Sequence, residues 1–359
     1  MAVALRVFLT TFALTVSSGA QWLTLPTKGL PRTADGKPNP AAPAPRASDG
    51  KPDLSGLWRL NAGPGHAANI VADLKDEDVE PWAEALYKRR LGDLGRDDPW
   101  TVECLPAGPR AVIMGGNGPA RIIQTPGVVA ILYDDLTYRQ IFLDGRTLPK
   151  DPNPSWMGYS IGHWDGDTLV VESSGFNDRT WLDMGGHPHT EALKMTERFR
   201  RTSFGHMDLR VTYDDPKAYR KPWTISFGVG FVPDTEMLEY VCGENEKDSK
   251  HLVGRTAEEK KVIVPREVLA KYVGVYETAD TTGTALTASR FEVTLAGDQL
   301  MIAMAGNGKM PLVPLSQTTF SPRLLGTYEF VADATGAFNK MIAYSTEGDV
   351  IAVRRPGPR

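Results

Sequence analysis

The residues able to do chemistry crowd into one stretch, Trp156 to Arg201, WMGYSIGHWDGDTLVVESSGFNDRTWLDMGGHPHTEALKMTERFRR. Two imidazoles, His187 and His189, flank Pro188. In the extended backbone that proline favours, both point to the same side. Asp178 and Asp183 precede them and Glu191 and Glu197 follow, all close by in sequence. Imidazoles beside carboxylates can trade protons with a substrate while a carboxylate orients the ring. They can also bind a divalent metal, for which His187 and His189 supply two of the three or four ligands required, with His163 and His206 further away. The third use is plain hydrogen bonding that fastens a loop. Trp156, Tyr159, Trp164, Phe176 and Trp181, with the amide of Asn177, are either core or a wall suited to an aromatic or sugar-like ligand.

The elements that must hold these groups read as β-structure. Tyr159–Trp164 and Thr168–Glu172 form a hairpin across Asp165-Gly166-Asp167. The polar and apolar residues of 176–183 make a structured loop. Met195–Arg201 alternates as a strand, with Glu197 on the face opposite Arg198 and Arg200. Gly158-Tyr159-Ser160-Ile161-Gly162 matches the nucleophile-elbow pattern, but that motif needs a strand, turn and helix in a parallel sheet. Here it runs into a hairpin, so Ser160 is read as facing a neighbouring strand.

Further strands are expected at Arg121–Thr125, Val128–Tyr133, Tyr138–Leu143, Met207–Tyr213, Trp223–Gly230 and Met237–Val241, separated by Gly, Pro and Asp turns. Many short strands with few helices predict a mainly β protein built on an antiparallel barrel of lipocalin or calycin type, with a sandwich as the competing architecture. Strands resume from Val273 to Tyr344, predicting a second, smaller β domain without histidine. The organisation is therefore a leader over 1–20, a Pro-rich arm over 21–52, a main β domain over 53–250, a linker over 251–264 and a small β domain over 265–359.

Arg6, the apolar run Val7–Val16 and Ser18-Gly19-Ala20 have the form of a secretory signal peptide, predicting export to the periplasm or medium. That run is too short to span a bilayer, and no later segment is apolar enough, so no membrane span is expected in the mature chain. Pro38, Pro40, Pro43 and Pro45 mark an arm that has no core of its own. Asp73–Leu91 is expected as a helix with acids at its front and bases at its back. Cys104 and Cys242, the two cysteines of an exported chain, are read as a disulfide. A net charge of −4 with mixed signs argues against a nucleic-acid partner.

The segments DGKPDLSGLW, RIIQTPGVVAILY, YRQIFLDGR, PKDPNPSWMGYSIGHWDGDTLVVESSGFNDRTWLD, GHPHTEALKMTERFRR and TEMLEYVCGENEKD resemble those of a large family of exported, mostly uncharacterised soil-bacterial proteins. The resemblance runs from about Asp49 to His251. The region after Pro265 is similar, more weakly, to lipocalin-like modules appended to secreted hydrolases. Two functions are compatible with these residues. One is an exported lyase, isomerase or hydrolase using His187 or His189 with Asp178, Asp183 or Glu197. The other is a lipocalin-like binder of the cell envelope, without turnover.

Overall fold

The computed structural model describes residues 25–60, 69–92, 97–112, 118–242, 262–278, 290–304, 309–322, 327–344 and 349–355. The expected leader lies outside these residues, as does most of the expected linker. The protein is mainly β, and its strands close into two barrels in chain order.

The first barrel comprises β1 (Gly56–Leu60), β2 (Ala120–Gln124), β3 (Val128–Leu132), β4 (Tyr138–Phe142), β5 (Tyr159–Asp165), β6 (Thr168–Ser174), β7 (Lys194–Arg201), β8 (His206–Asp214) and β9 (Trp223–Phe231). It closes where β9 pairs with β1, Trp58 opposite Phe231. One neighbouring pair departs from the antiparallel expectation: β4 and β5 run parallel, Ile141 opposite Ser160. Residues 143–158 carry the chain back to the starting end, which a hairpin cannot do. The period-2 pattern places Met195, Glu197, Phe199 and Arg201 of β7 inside and Arg198 and Arg200 outside. Leu209, Val211, Ile225, Phe227 and Val229 continue the core on β8 and β9.

The two ends of this barrel are closed differently. At one end lie the β5–β6 and β7–β8 turns, and the Pro-rich arm packs across them. Its turn chemistry is duplicated: Pro31-Arg32-Thr33-Ala34-Asp35-Gly36-Lys37-Pro38 recurs as Pro45-Arg46-Ala47-Ser48-Asp49-Gly50-Lys51-Pro52. In each copy the arginine donates to the glycine carbonyl four residues on, Arg32 to Gly36 at 3.1 Å and Arg46 to Gly50 at 2.8 Å. Each arginine also grips a barrel carboxylate, Asp234 at 2.6 Å and Asp167 at 2.8 Å. Gly36 and Gly50 turn at φ +82° and +79°, where a Cβ would be strained. Between the copies, Pro40 and Ala42 accept main-chain bonds from Gly205 and Phe204. Beneath the arm, Arg201 donates to the carbonyls of Asp53, Ser203 and Phe204 and lies under the rings of Trp58 and Phe204 at 4.8 and 5.0 Å. Burial brings its pKa down to about 10.

The opposite end carries the long connections: the residues between β1 and β2, the β6–β7 loop and the β8–β9 loop. The helix expected over 73–91 begins later, as a 3-10 turn Asp76–Asp78 followed by α1 (Pro81–Gly92). Pro81 occupies the first helical position, where its missing N–H costs nothing. Ala83 is buried, but Trp82 faces outward and donates to the Lys217 carbonyl, so the helix lies across the surface. Two short helices, α2 (Pro99–Glu103) and α3 (Pro109–Val112), follow. Cys104, at the end of α2, is disulfide-bonded to Cys242. The strand expected over 237–241 does not form; that segment leaves the barrel irregularly, and Tyr240 N donates to the Asp134 carbonyl.

The second barrel is antiparallel throughout, β10 (Gly274–Thr278), β11 (Arg290–Ala296), β12 (Gln299–Met304), β13 (Met310–Pro314), β14 (Thr319–Ser321), β15 (Thr327–Ala332), β16 (Phe338–Tyr344) and β17 (Val350–Arg354). The pairing of β10 with β17 closes it. A short helix, α4 (Arg266–Leu269), precedes it, and Tyr272 stacks on Phe330 at 4.6 Å within the core. Among the described residues no helix is long and apolar enough to cross a membrane.

Candidate functional site

Asp183 organises the β6–β7 loop. The loop must turn back on itself between Trp181 and Pro188, which form an isolated antiparallel bridge, and the carboxylate sits inside that turn. It is fully buried. Its Oδ1 accepts from the main chain of Gly186 at 2.9 Å and His187 at 3.2 Å. Its Oδ2 accepts from Ile70 N at 3.0 Å and pairs with His187 Nδ1 at 2.6 Å. Burial alone would raise its pKa, but the His187 ring and the main-chain donors outweigh it and hold the carboxyl below its ordinary range.

With Asp183 accepting at Nδ1, the neutral His187 carries its proton there and its lone pair on Nε2. Nε2 makes no hydrogen bond among the described residues. One face of the ring is covered by Tyr87 of α1, stacked at 3.7 Å and 15°. Arg90, one helical turn on, donates to the Gly186 carbonyl and lies over the Trp181 ring at 4.8 Å. The helix therefore grips the loop on both sides of Asp183.

His189 is held otherwise. Its Nε2 is 2.8 Å from Thr180 Oγ1 and its Nδ1 is 3.3 Å from the Thr190 carbonyl. A carbonyl can only accept, so Nδ1 donates and Nε2 accepts from the threonine. Burial lowers its pKa to about 4, keeping it neutral. Thr190 is itself fixed by Asp215, which accepts from its N and Oγ1 at 2.6 and 2.8 Å. Both nitrogens of His189 thus fasten the loop. The two imidazoles share neither a partner nor a third ligand, and no group of three or more His, Cys, Asp or Glu able to hold a metal occurs among the described residues.

The other expected site residues are dispersed. Asp178 and Glu191 are exposed. Glu197 is buried in the barrel and joined by both oxygens to Arg139, so it is no partner of either histidine. Trp156 lies under Arg179 at 4.9 Å, and Asn177 Oδ1 accepts from Arg179 N in a local turn. Tyr159 points outward, its hydroxyl bonded to Arg146 at 2.8 Å. Trp164 packs against the barrel core, and Trp181 is buried beneath Arg90. These aromatics do not assemble into one wall.

Inside the barrel, Arg139 Nε donates to Ser160 Oγ at 2.9 Å and Nη2 to Ser173 Oγ at 2.7 Å, and the two hydroxyls are 3.0 Å apart. Ser160 therefore faces a neighbouring strand, as its place in a hairpin implies. Near this cluster the hydroxyls of Tyr133 and Tyr213 are buried; that of Tyr133 lies within hydrogen-bonding reach of Arg139, whereas that of Tyr213 has no hydrogen-bond partner among the described residues. Such an orphan costs about 1–3 kcal/mol. Arg139, Tyr87 and the two tyrosines escaped the sequence reading; the one available signal was a charged residue at an inward position of β4.

Comparison with protein-family models and with curated proteins finds no match.

Proposed function

We propose that the protein is an exported enzyme that moves a proton on a small molecule, as a lyase, isomerase or hydrolase, with His187 as the acid–base group and Asp183 as its orienting residue. The observation that carries this reading is the 2.6 Å bond from a fully buried, main-chain-anchored carboxylate to His187 Nδ1. That arrangement fixes one tautomer, presents Nε2 as the base and stabilises the imidazolium that proton transfer creates. His187 is 4% exposed, so this reading requires α1 to move off the ring before a substrate can reach Nε2. The leader-like start, the disulfide and the resemblance to exported soil-bacterial proteins support the compartment.

The test is turnover on a panel of aryl esters, aryl glycosides and sugar lactones. His187→Ala should cost about 10²–10⁴-fold in kcat on any substrate found. Unchanged turnover would overturn the assignment. The closed barrel also supports a second reading, a lipocalin-like binder. Stoichiometric retention of a panel member with no chemical change would favour that alternative.

A further inference from the structure

The two ends of α1 are fastened to the first barrel in different ways. At its front, main chain meets main chain. Val79 forms an isolated antiparallel bridge with Tyr219 of the β8–β9 loop, in which Glu80 N donates to the Ala218 carbonyl at 2.9 Å and Arg220 N to that of Asp78 at 2.8 Å. The ion pairs Lys221–Asp78 at 2.7 Å and Arg220–Glu80 at 3.0 Å reinforce this end, as does the 3.0 Å bond from Trp82 to the Lys217 carbonyl. Tyr219 is itself buried and donates to the Pro188 carbonyl at 2.8 Å, so the β8–β9 and β6–β7 loops are joined independently of the helix. At its back, α1 reaches the β6–β7 loop through side chains. Tyr87 stacks on His187, and Arg90 Nη1 donates to the Gly186 carbonyl at 3.1 Å while its guanidinium lies over Trp181. Of the twelve helical residues only Ala83 is buried, so little apolar burial holds the helix down between its ends. An element held this way opens at a small fraction of the cost of unfolding the barrel.

We infer that α1 is a gate on the Asp183–His187 pair, hinged at the Val79–Tyr219 bridge and latched by Tyr87 and Arg90. When the latch opens, the back of the helix lifts, Tyr87 leaves the imidazole and Nε2 meets solvent. When it closes, Tyr87 covers the ring again and water is excluded from the base. Asp183 and its main-chain donors Ile70, Gly186 and His187 lie outside the helix, so the orienting bond to Nδ1 survives the opening. The gate rests on the acid–base reading for its purpose, but it is tested without turnover.

The experiment follows carbethoxylation of imidazole nitrogen by diethyl pyrocarbonate at neutral pH in the purified full chain, Tyr87→Ala and Arg90→Ala. Peptide fragmentation in the mass spectrometer assigns His187 and His189 separately. In the wild type, His187 should label more slowly than the exposed His163 and His206, and His189, bonded at both nitrogens, should stay unlabelled. Arg90→Ala removes a latch without uncovering the ring, and should speed His187 labelling roughly 2- to 10-fold, the worth of one hydrogen bond. Tyr87→Ala should speed it by at least as much. Wild-type labelling of His187 as fast as that of His163 would overturn the inference, because nothing then gates the ring. Equal His187 rates in all three proteins would overturn the latch. Labelling of His189 in step with His187 would overturn it too, since access would then come from unfolding of the β6–β7 loop. No substrate enters these measurements, so a failed gate leaves the acid–base assignment to be judged by the kinetics of His187→Ala.

Discussion

At the scale of single residues, the histidines show how two identical side chains two positions apart take opposite roles. His189, neutral and bonded at both nitrogens, makes stability pH-dependent. Its folded pKa of about 4 lies below the ordinary 6.5, so between those values the unfolded chain binds a proton that the folded chain refuses. Unfolding free energy should therefore fall as pH drops through this window, by about 3 kcal/mol in all, and be unaffected by this group above it. Urea titrations at pH 7 and 4.5 measure the loss, and His189→Gln should flatten it. Asp183 adds a further loss below its ordinary pKa of 3.8, because its folded value is depressed. The Arg139–Glu197 pair makes a second residue-scale prediction. Arg139→Met strands a buried carboxylate and should cost about 3–5 kcal/mol, whereas Arg139→Met with Glu197→Leu should recover most of it. Chemical denaturation of the three proteins checks this. The sequence exposed the imidazoles and put Asp183 among three candidate carboxylates, but not which of the three pairs with His187, nor Thr180 and Tyr87, because those choices depend on how the loop and α1 meet.

At the scale of elements, the arm and α1 were each half legible. Proline and glycine content marked residues 21–52 as an arm without a core of its own, but composition hides the repeated turn and the carboxylates it grips. The contacts are exposed ion pairs, worth about 0–1 kcal/mol each, so the arm holds by many weak bonds. Arg32→Ala or Arg46→Ala should change stability by less than about 1 kcal/mol. Hydrogen exchange should show the mutated turn opening while β1–β9 stay protected. For α1, dipole-matched charges announced a helix, yet the acids Asp76, Glu77 and Asp78 form a separate 3-10 turn and the α-helix starts at Pro81. Its charged flanks read as a solvated face, and the face that matters for the site is the short one bearing Tyr87 and Arg90.

At the scale of the whole molecule, alternation and turn spacing pointed to one β-barrel and a second, smaller β domain, which closes as a barrel as well. They could not reveal the parallel β4–β5 pair, which depends on a 143–158 crossover of no regular pattern, nor the short β14 and β17. The disulfide, with a sequence separation of 138, ties the helical insertion to the chain leaving the first barrel. Cys104→Ser with Cys242→Ser should destabilise that barrel by roughly 5 kcal/mol in the chain-entropy account. Calorimetry should show its transition shifted and that of the cysteine-free second barrel unmoved. The central claim concerns Asp183 and His187, and the most direct measurement is the steady-state kinetics of Asp183→Asn on a substrate from the screen. An asparagine keeps the shape but can no longer enforce the Nδ1-protonated ring. The account predicts a fall in kcat of about 10²-fold or more with KM held and the fold intact by circular dichroism; a kcat equal to wild type would contradict it.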